Sequence, residues 1–239
     1  MTITADMLSV AIYADGADKA SILKLAANPQ IKGFTTNPTL MRKAGITDYE
    51  AFARDILTCV GGRPISFEVF SDDFDEMYAQ ARKIATWGSN VYVKIPVTNT
   101  LGASAVPLIE SLARDRVQMN VTALFTESQV EAVSHVLRDA PSCNISVFAG
   151  RIADAGTDPL PVMKRALDIM RPHPQQTLIW ASPREIFNVV QADMIGCHII
   201  TVTPDLIAKL CSLGRDLEEF SLDTVKMFRR DAVSAGYAL

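Results

Sequence analysis

"SNVYVKIPVTNT" (residues 89–100) packs Val91, Tyr92, Val93, Ile95 and Val97 into one short apolar run with a lysine in its middle. Such a run reads as a strand buried on both faces, the kind found in parallel sheets covered by helices. Lys94 is out of place there, because an amine is almost never fully buried unless something pairs with it or uses it. On the residues alone two readings stay open: a structural ion pair with Glu68 or Asp15, or a reactive amine.

Seven similar runs lie on either side of it. They are "SVAIYAD" (9–15), "IKGFTTN" (31–37), "PISFEVF" (64–70), "QMNVTALF" (118–125), "NISVFAG" (144–150), "TLIWAS" (177–182) and "CHIITV" (197–202). Between them run amphipathic stretches such as "DYEAFARDILTCV", "FDEMYAQARKIATW" and "TESQVEAVSHVLRDA", with apolar residues three or four apart. Thr126 and Gln129 form a capping box that opens the last of these. Eight strands alternating with helices predict an α/β fold, a (β/α)8 TIM barrel built as a single domain over residues 1–239. The runner-up is a doubly wound sheet, but no GxGxxG or Walker loop follows the first run. A further C-terminal helix, from about Leu217 to Ala235, falls outside the eightfold count.

Composition narrows the class. Of 239 residues, 49% are hydrophobic and 21% charged, the balance of a globular chain with a sizeable core. A net charge of -4 argues against nucleic acid and against an anionic membrane surface as partners. No apolar run approaches the ~18 residues of a membrane span, and "MTITADMLSV" lacks the pattern of a signal peptide. Cys59, Cys143, Cys197 and Cys211 lie far apart and contain no CxxC pair, which suits a reducing cytoplasm. His135, His173 and His198 show no metal-ligand spacing, so no metal or cofactor is expected.

Barrel enzymes place their chemistry at the C-terminal strand ends, and residues two apart share a strand face. Thr35 and Asn37 are so spaced in the second run, Asn120 and Thr122 in the fifth, Ser146 and Phe148 in the sixth, with Arg151 just beyond. Asp15 ends the first run, Glu68 interrupts the third and Lys94 the fourth. If these faces point inward they converge on one pocket. Each also has a plainer reading: Asp15 before Gly16 can start a turn, Asn37 before Pro38 can be a strand-to-helix turn, and Phe148 can be core.

"ASPREIF" (181–187) reads as a helix start, with Ser182 as cap, Pro183 in first position and Glu185 completing a capping box. Arg184 would then lie in a first turn, where acids are preferred, and an anion bound at the helix N-terminus would explain it.

Taken in order and spacing, "GFTTNPTL", "VYVKIPVT", "NVTALFT", "SVFAGRI", "ASPREIF" and "MIGCHIITVTPDLI" resemble the motifs of the transaldolases, from about Tyr13 to Ala208. The resemblance implies a metal-independent enzyme of carbohydrate metabolism, in the pentose phosphate pathway, that moves a dihydroxyacetone unit between sugar phosphates. It makes Lys94 the Schiff-base lysine and Asp15 the group that takes the C4 hydroxyl proton. Glu68 and Thr122 match the pair holding the water of the imine steps. Thr35, Asn37, Asn120 and Ser146 match positions that bind substrate hydroxyls, with Phe148 beside them. Arg151, Ser182 and Arg184 match a phosphate clamp. It further implies a cytoplasmic homo-oligomer, and the helix near the C-terminus could pack on a neighbour through Phe220, Val225 and Phe228.

Two alternatives remain. The fructose-6-phosphate aldolase branch resembles this chain in its lysine strand but carries glutamine in place of Glu68 and tyrosine in place of Phe148. A non-catalytic barrel that binds a sugar phosphate would have no need of Lys94, Asp15 and Glu68 together.

Overall fold

The computed structural model describes residues 3–238 and shows eight parallel strands that pair in sequence order and close into a barrel. The strands are β1 (Ala11–Asp15), β2 (Ile31–Thr35), β3 (Ile65–Glu68), β4 (Val91–Pro96), β5 (Met119–Leu124), β6 (Cys143–Val147), β7 (Gln176–Trp180) and β8 (Ile199–Val202). Around them run α1 (Lys19–Ala26), α2 (Pro38–Lys43), α3 (Tyr49–Cys59), α4 (Phe74–Ala85), α5 (Val106–Arg114) and α6 (Glu127–Val136). The circuit continues with α7 (Ala149–Asp154), α8 (Pro159–Met170), α9 (Phe187–Met194) and the short α10 (Pro204–Ile207). The C-terminal helix, α11 (Leu217–Ser234), stands outside the eightfold count, as its sequence predicts.

Local chemistry sets the helix ends. Asp48 accepts a hydrogen bond from the Ala51 amide and opens α3, and Asp73 does the same for α4 through Asp75 and Glu76. The capping box of Thr126 and Gln129 is present at the start of α6, where the sequence places it.

The strand β4 is not apolar on both sides. Val91, Val93 and Ile95 join the main hydrophobic core with outward residues of the other strands, such as Phe67, Val121, Ile145 and Trp180, and with the helices. Tyr92 and Lys94 alternate with them and take the inner face. The same alternation buries Thr35, Ser66, Asn120, Asn144, Ser146 and Thr201 as polar groups. Only a small apolar cluster of Tyr13, Ile179, Ala181 and Ile199 stands apart from the main core. The strands therefore separate an apolar layer under the helices from a largely polar interior. Lys94 is buried because its strand is covered, and it is polar because it faces inward.

One glycine shapes that interior. A Cβ on Gly33 would stand 2.5 Å from the Tyr13 ring, so the phenol lies in space that any other residue in β2 would take.

Candidate active site

Adjacent strands bring the polar side chains to the same level. Lys94 is in register with Glu68 on one side and Asn120 on the other, and Asp15 with Thr35. Lys94 is 7% exposed; its Nζ lies 3.2 Å from Glu68 Oε2 and donates to the Thr36 carbonyl at 3.2 Å. A buried ammonium needs such a carboxylate and acceptor. Asn120 is fixed at both ends: its amide nitrogen donates to Ser66 Oγ at 3.0 Å, and Ser146 Oγ donates to its Oδ1 at 2.7 Å.

Asp15 accepts a hydrogen bond from Thr35 Oγ1 at 2.8 Å. Burial raises its carboxyl above the ordinary aspartate range, against the smaller lowering effects of the Lys94 charge and the Thr35 hydroxyl. A carboxyl so raised holds a proton more readily than an ordinary aspartate, which suits it to taking one up from a substrate.

Thr122 is aimed by a local irregularity. Ala123 has φ +62°, and the β5–β6 register slips between Val121 and Leu124, the mark of a bulge. A left-handed alanine is strained, and such strain gathers where a side chain must be placed. Thr122 lines the cavity, and among the described residues its buried Oγ1 has no hydrogen-bond partner.

These groups surround one cavity of about 90 Å³. Asp15, Thr35, Asn37, Lys94, Asn120 and Thr122 line it from β1, β2, β4 and β5 and their ends, and Ser146, Phe148, Arg151, Ser182 and Thr201 from β6, β7 and β8 and the segments that follow them. Ten of the twelve residues singled out in the sequence are among them. Asn37 serves two ends, since its side chain also caps α2 by accepting from the Leu40 amide. Phe148 is held between Phe125, with ring centroids 5.8 Å apart, and the Arg151 guanidinium at 5.2 Å. Among the described residues Arg151 forms no ion pair.

Two expectations are corrected. Ser182 does not open a helix: its φ is +61°, and α9 begins only at Phe187. The amides of Arg184 and Glu185 are instead met by Asn188 Oδ1 at 2.7 and 3.1 Å, so the Ser-Pro-x-Glu pattern closes as a loop. Arg184 consequently lies in no first turn and does not line the cavity. Its guanidinium donates to both oxygens of Asp154, with Nε at 2.9 and 3.0 Å, and that pairing holds the Asp154 carboxyl below its usual range. The argument for an anion at Arg184 falls away, since a carboxylate of the chain already meets it. Glu68 is not among the cavity-lining residues and meets the site through its 3.2 Å pairing with Lys94.

Thr201 was missed in the sequence, where "CHIITV" reads as apolar. Applying the two-apart rule to β8 from Ile199 would have turned it inward. Gly150, at the start of α7, leaves no room for a side chain: a Cβ there would fall 1.5 Å from the Ser182 carbonyl oxygen.

Residues 12–238 match the family described as Transaldolase/Fructose-6-phosphate aldolase. The chain is 38% identical over 191 residues to a "Probable transaldolase" of Roseiflexus castenholzii, covering 80% of this chain and 84% of that one. It is 36% identical over 199 residues to a "Probable transaldolase" of Streptococcus pyogenes, covering 83% and 88%. A "Probable transaldolase 2" of Listeria monocytogenes is 32% identical over 201 residues, covering 84% and 88%. Among solved structures, one described as of the dihydrodipicolinate synthase family, from Coccidioides immitis, superposes with a TM-score of 0.58 at 12% identity, covering 92% and 74%. That likeness is one of fold.

Proposed function

The chain belongs to the transaldolase/fructose-6-phosphate aldolase family, and from that premise we propose that it is a transaldolase moving a dihydroxyacetone unit from a ketose phosphate to an aldehyde phosphate through an imine on Lys94. One observation carries the reading: among the described residues Lys94 is the only lysine lining the cavity, and Asp15 lines it too.

The steps follow from what these groups can do. Neutral Lys94 Nζ adds to the C2 carbonyl of the ketose, and loss of water gives the imine. Glu68, 3.2 Å from Nζ, gives the proton with which the carbinolamine hydroxyl leaves as water, and the Thr122 hydroxyl helps to hold that water. Asp15 takes the proton of the C4 hydroxyl as the C3–C4 bond breaks. Its electrons pass into the imine, which becomes an enamine, and the aldehyde phosphate leaves. The enamine attacks a second aldehyde, and Asp15 returns its proton to the new C4 oxygen. Water then releases the product ketose and restores the amine. The Ser146–Asn120–Ser66 chain presents fixed polar atoms to the sugar hydroxyls. Arg151, which has no carboxylate partner among the described residues, and Ser182 face the phosphate. Phe148 favours transfer over simple cleavage, because a phenyl ring beside the cavity offers the enamine no proton.

Assembly belongs to the same proposal. α11 buries none of its residues and exposes Phe220, Val225 and Phe228, a face suited to a second copy of the chain. Four unbridged cysteines agree with a cytoplasmic setting.

Incubation with a ketose phosphate and borohydride tests the covalent step. Peptide mass should show a reduced dihydroxyacetone adduct at Lys94. An adduct at another lysine, or none across a panel of ketose phosphates, overturns the mechanism.

A further inference from the structure

Asp15 is the proton carrier of the proposed reaction, and the hydrogen bonds around it form a directed chain. Thr35 Oγ1 lies 2.8 Å from Asp15 Oδ1 and 2.5 Å from Thr201 Oγ1. A threonine hydroxyl has one proton to give, and an ionised carboxylate can only accept. With Asp15 ionised, Thr35 must therefore spend its proton on Asp15, so the bond to Thr201 exists only if Thr201 donates. The order is Thr201 to Thr35 to Asp15. Once Asp15 is protonated, Thr35 no longer has to donate to it and the chain is free to reverse.

The three residues come from three neighbouring strands, β8, β2 and β1, and all face inward. Thr201 is in register with Tyr13, two residues before Asp15 on the same face, and is 7% exposed. Burial of the pair leaves water little access, and linked hydroxyls in such surroundings strengthen one another.

The geometry points to Thr201 as a positioning residue for Asp15, acting through Thr35 as the first donor of a hydroxyl chain that favours the carboxylate form. This inference rests on the proposed role of Asp15. Thr201 also lines the cavity, and its threonine methyl keeps its packing even when the hydroxyl is replaced, which makes valine the informative substitute.

Other charged groups face the same cavity: Lys94 of β4, paired with Glu68 of β3, and Arg151 of α7. All three are unchanged by a substitution at 201. Removing the Thr201 hydroxyl leaves Thr35 a poorer donor, so the carboxylate is less favoured and Asp15 should hold its proton to higher pH.

The experiment follows the Asp15 carboxyl carbon by NMR in protein labelled at aspartate, its signal identified by its loss in Asp15→Asn. In Thr201→Val the midpoint should move to higher pH than in the native chain, and in Thr201→Ser it should return. The acid limb of kcat/KM should move the same way, with kcat reduced roughly 3- to 10-fold, as loss of one hydrogen bond predicts, and KM nearly unchanged. A Thr201→Val midpoint equal to the native one overturns the inference whatever the enzyme acts on. A midpoint that moves, with no Lys94 adduct in the native chain, sustains the hydroxyl chain and sinks the transaldolase reading instead.

Discussion

Arg184 and Asp154 form a forked ion pair, with Arg184 Nε between the two carboxylate oxygens, while Arg151, one turn before Asp154 on α7, lines the cavity and among the described residues forms no ion pair. The phosphate of the proposed substrate would therefore meet the two arginines on different terms. Arg151 is available at once. Arg184 must first give up a carboxylate.

Arg151→Ala should raise KM for phosphorylated substrates by about 10- to 100-fold, the worth of a charge-assisted bond in a partly desolvated site. Arg184→Ala should raise it less, and dephosphorylated substrates should be little affected by either change. Steady-state kinetics with both substrate classes measures this. A larger effect at Arg184 would mean that it swings from Asp154 to the substrate.

The raised carboxyl of Asp15 makes a stability prediction. A group that binds its proton more tightly when folded makes stability fall as pH rises from the ordinary aspartate range through the raised value. Asp15→Asn removes that dependence. It should melt higher than the native chain at about pH 7, with the gap narrowing as pH is lowered toward about 4. A gap that stays constant over that range would mean that the buried charge is not what the amide relieves.

Phe148→Tyr should shift the outcome of the reaction from transfer to release. A phenol placed between Phe125 and Arg151 can donate a proton or position water beside the enamine. The native enzyme should consume a ketose phosphate readily only with an acceptor present, and the variant should free more dihydroxyacetone. Full-rate release by the native enzyme without acceptor would replace transfer with aldol cleavage.

Ala123→Gly should stabilise the chain by about 1 kcal/mol or less, since glycine adopts the left-handed backbone without a Cβ penalty but adds freedom to the unfolded state. Denaturant unfolding reads the stability directly. Lower activity in the same variant would show that the strain fixes Thr122.

Phe220→Glu combined with Phe228→Glu should lower the oligomeric state seen by light scattering and leave the circular dichroism unchanged. Both side chains are exposed on α11, which contributes nothing to the core. An unchanged assembly would place the subunit contact elsewhere.

The barrel and most of the lining of its candidate site were legible because a polar residue inside an apolar strand run has so few explanations. Lys94, Asn120 and Ser146 each sit where alternation turns them inward, and the structure brings them together. The start of α9 was not legible. Ser182, Pro183 and Glu185 satisfy every local rule for a capping box, but the carboxamide of Asn188 reaches the amides first and the backbone of Ser182 turns left-handed. The bulge at Ala123 left no trace either, because alanine carries no preference for that conformation. Thr201 escaped because a threonine among isoleucines looks like ordinary strand filling.

The contact between Gly150 and Ser182 has a mechanical consequence. Backbone meets backbone there with no side chain between, so the loop after β7 and the first turn of α7 cannot slide independently. An anion that draws Ser182 inward must carry α7 with it, and with α7 come Arg151 and Phe148 as one body. The ring would then be pressed toward the reacting carbons by binding energy released at the far end of the sugar. A substrate without its phosphate would leave that lever unpulled, so the penalty for losing the phosphate should fall on turnover as well as on affinity.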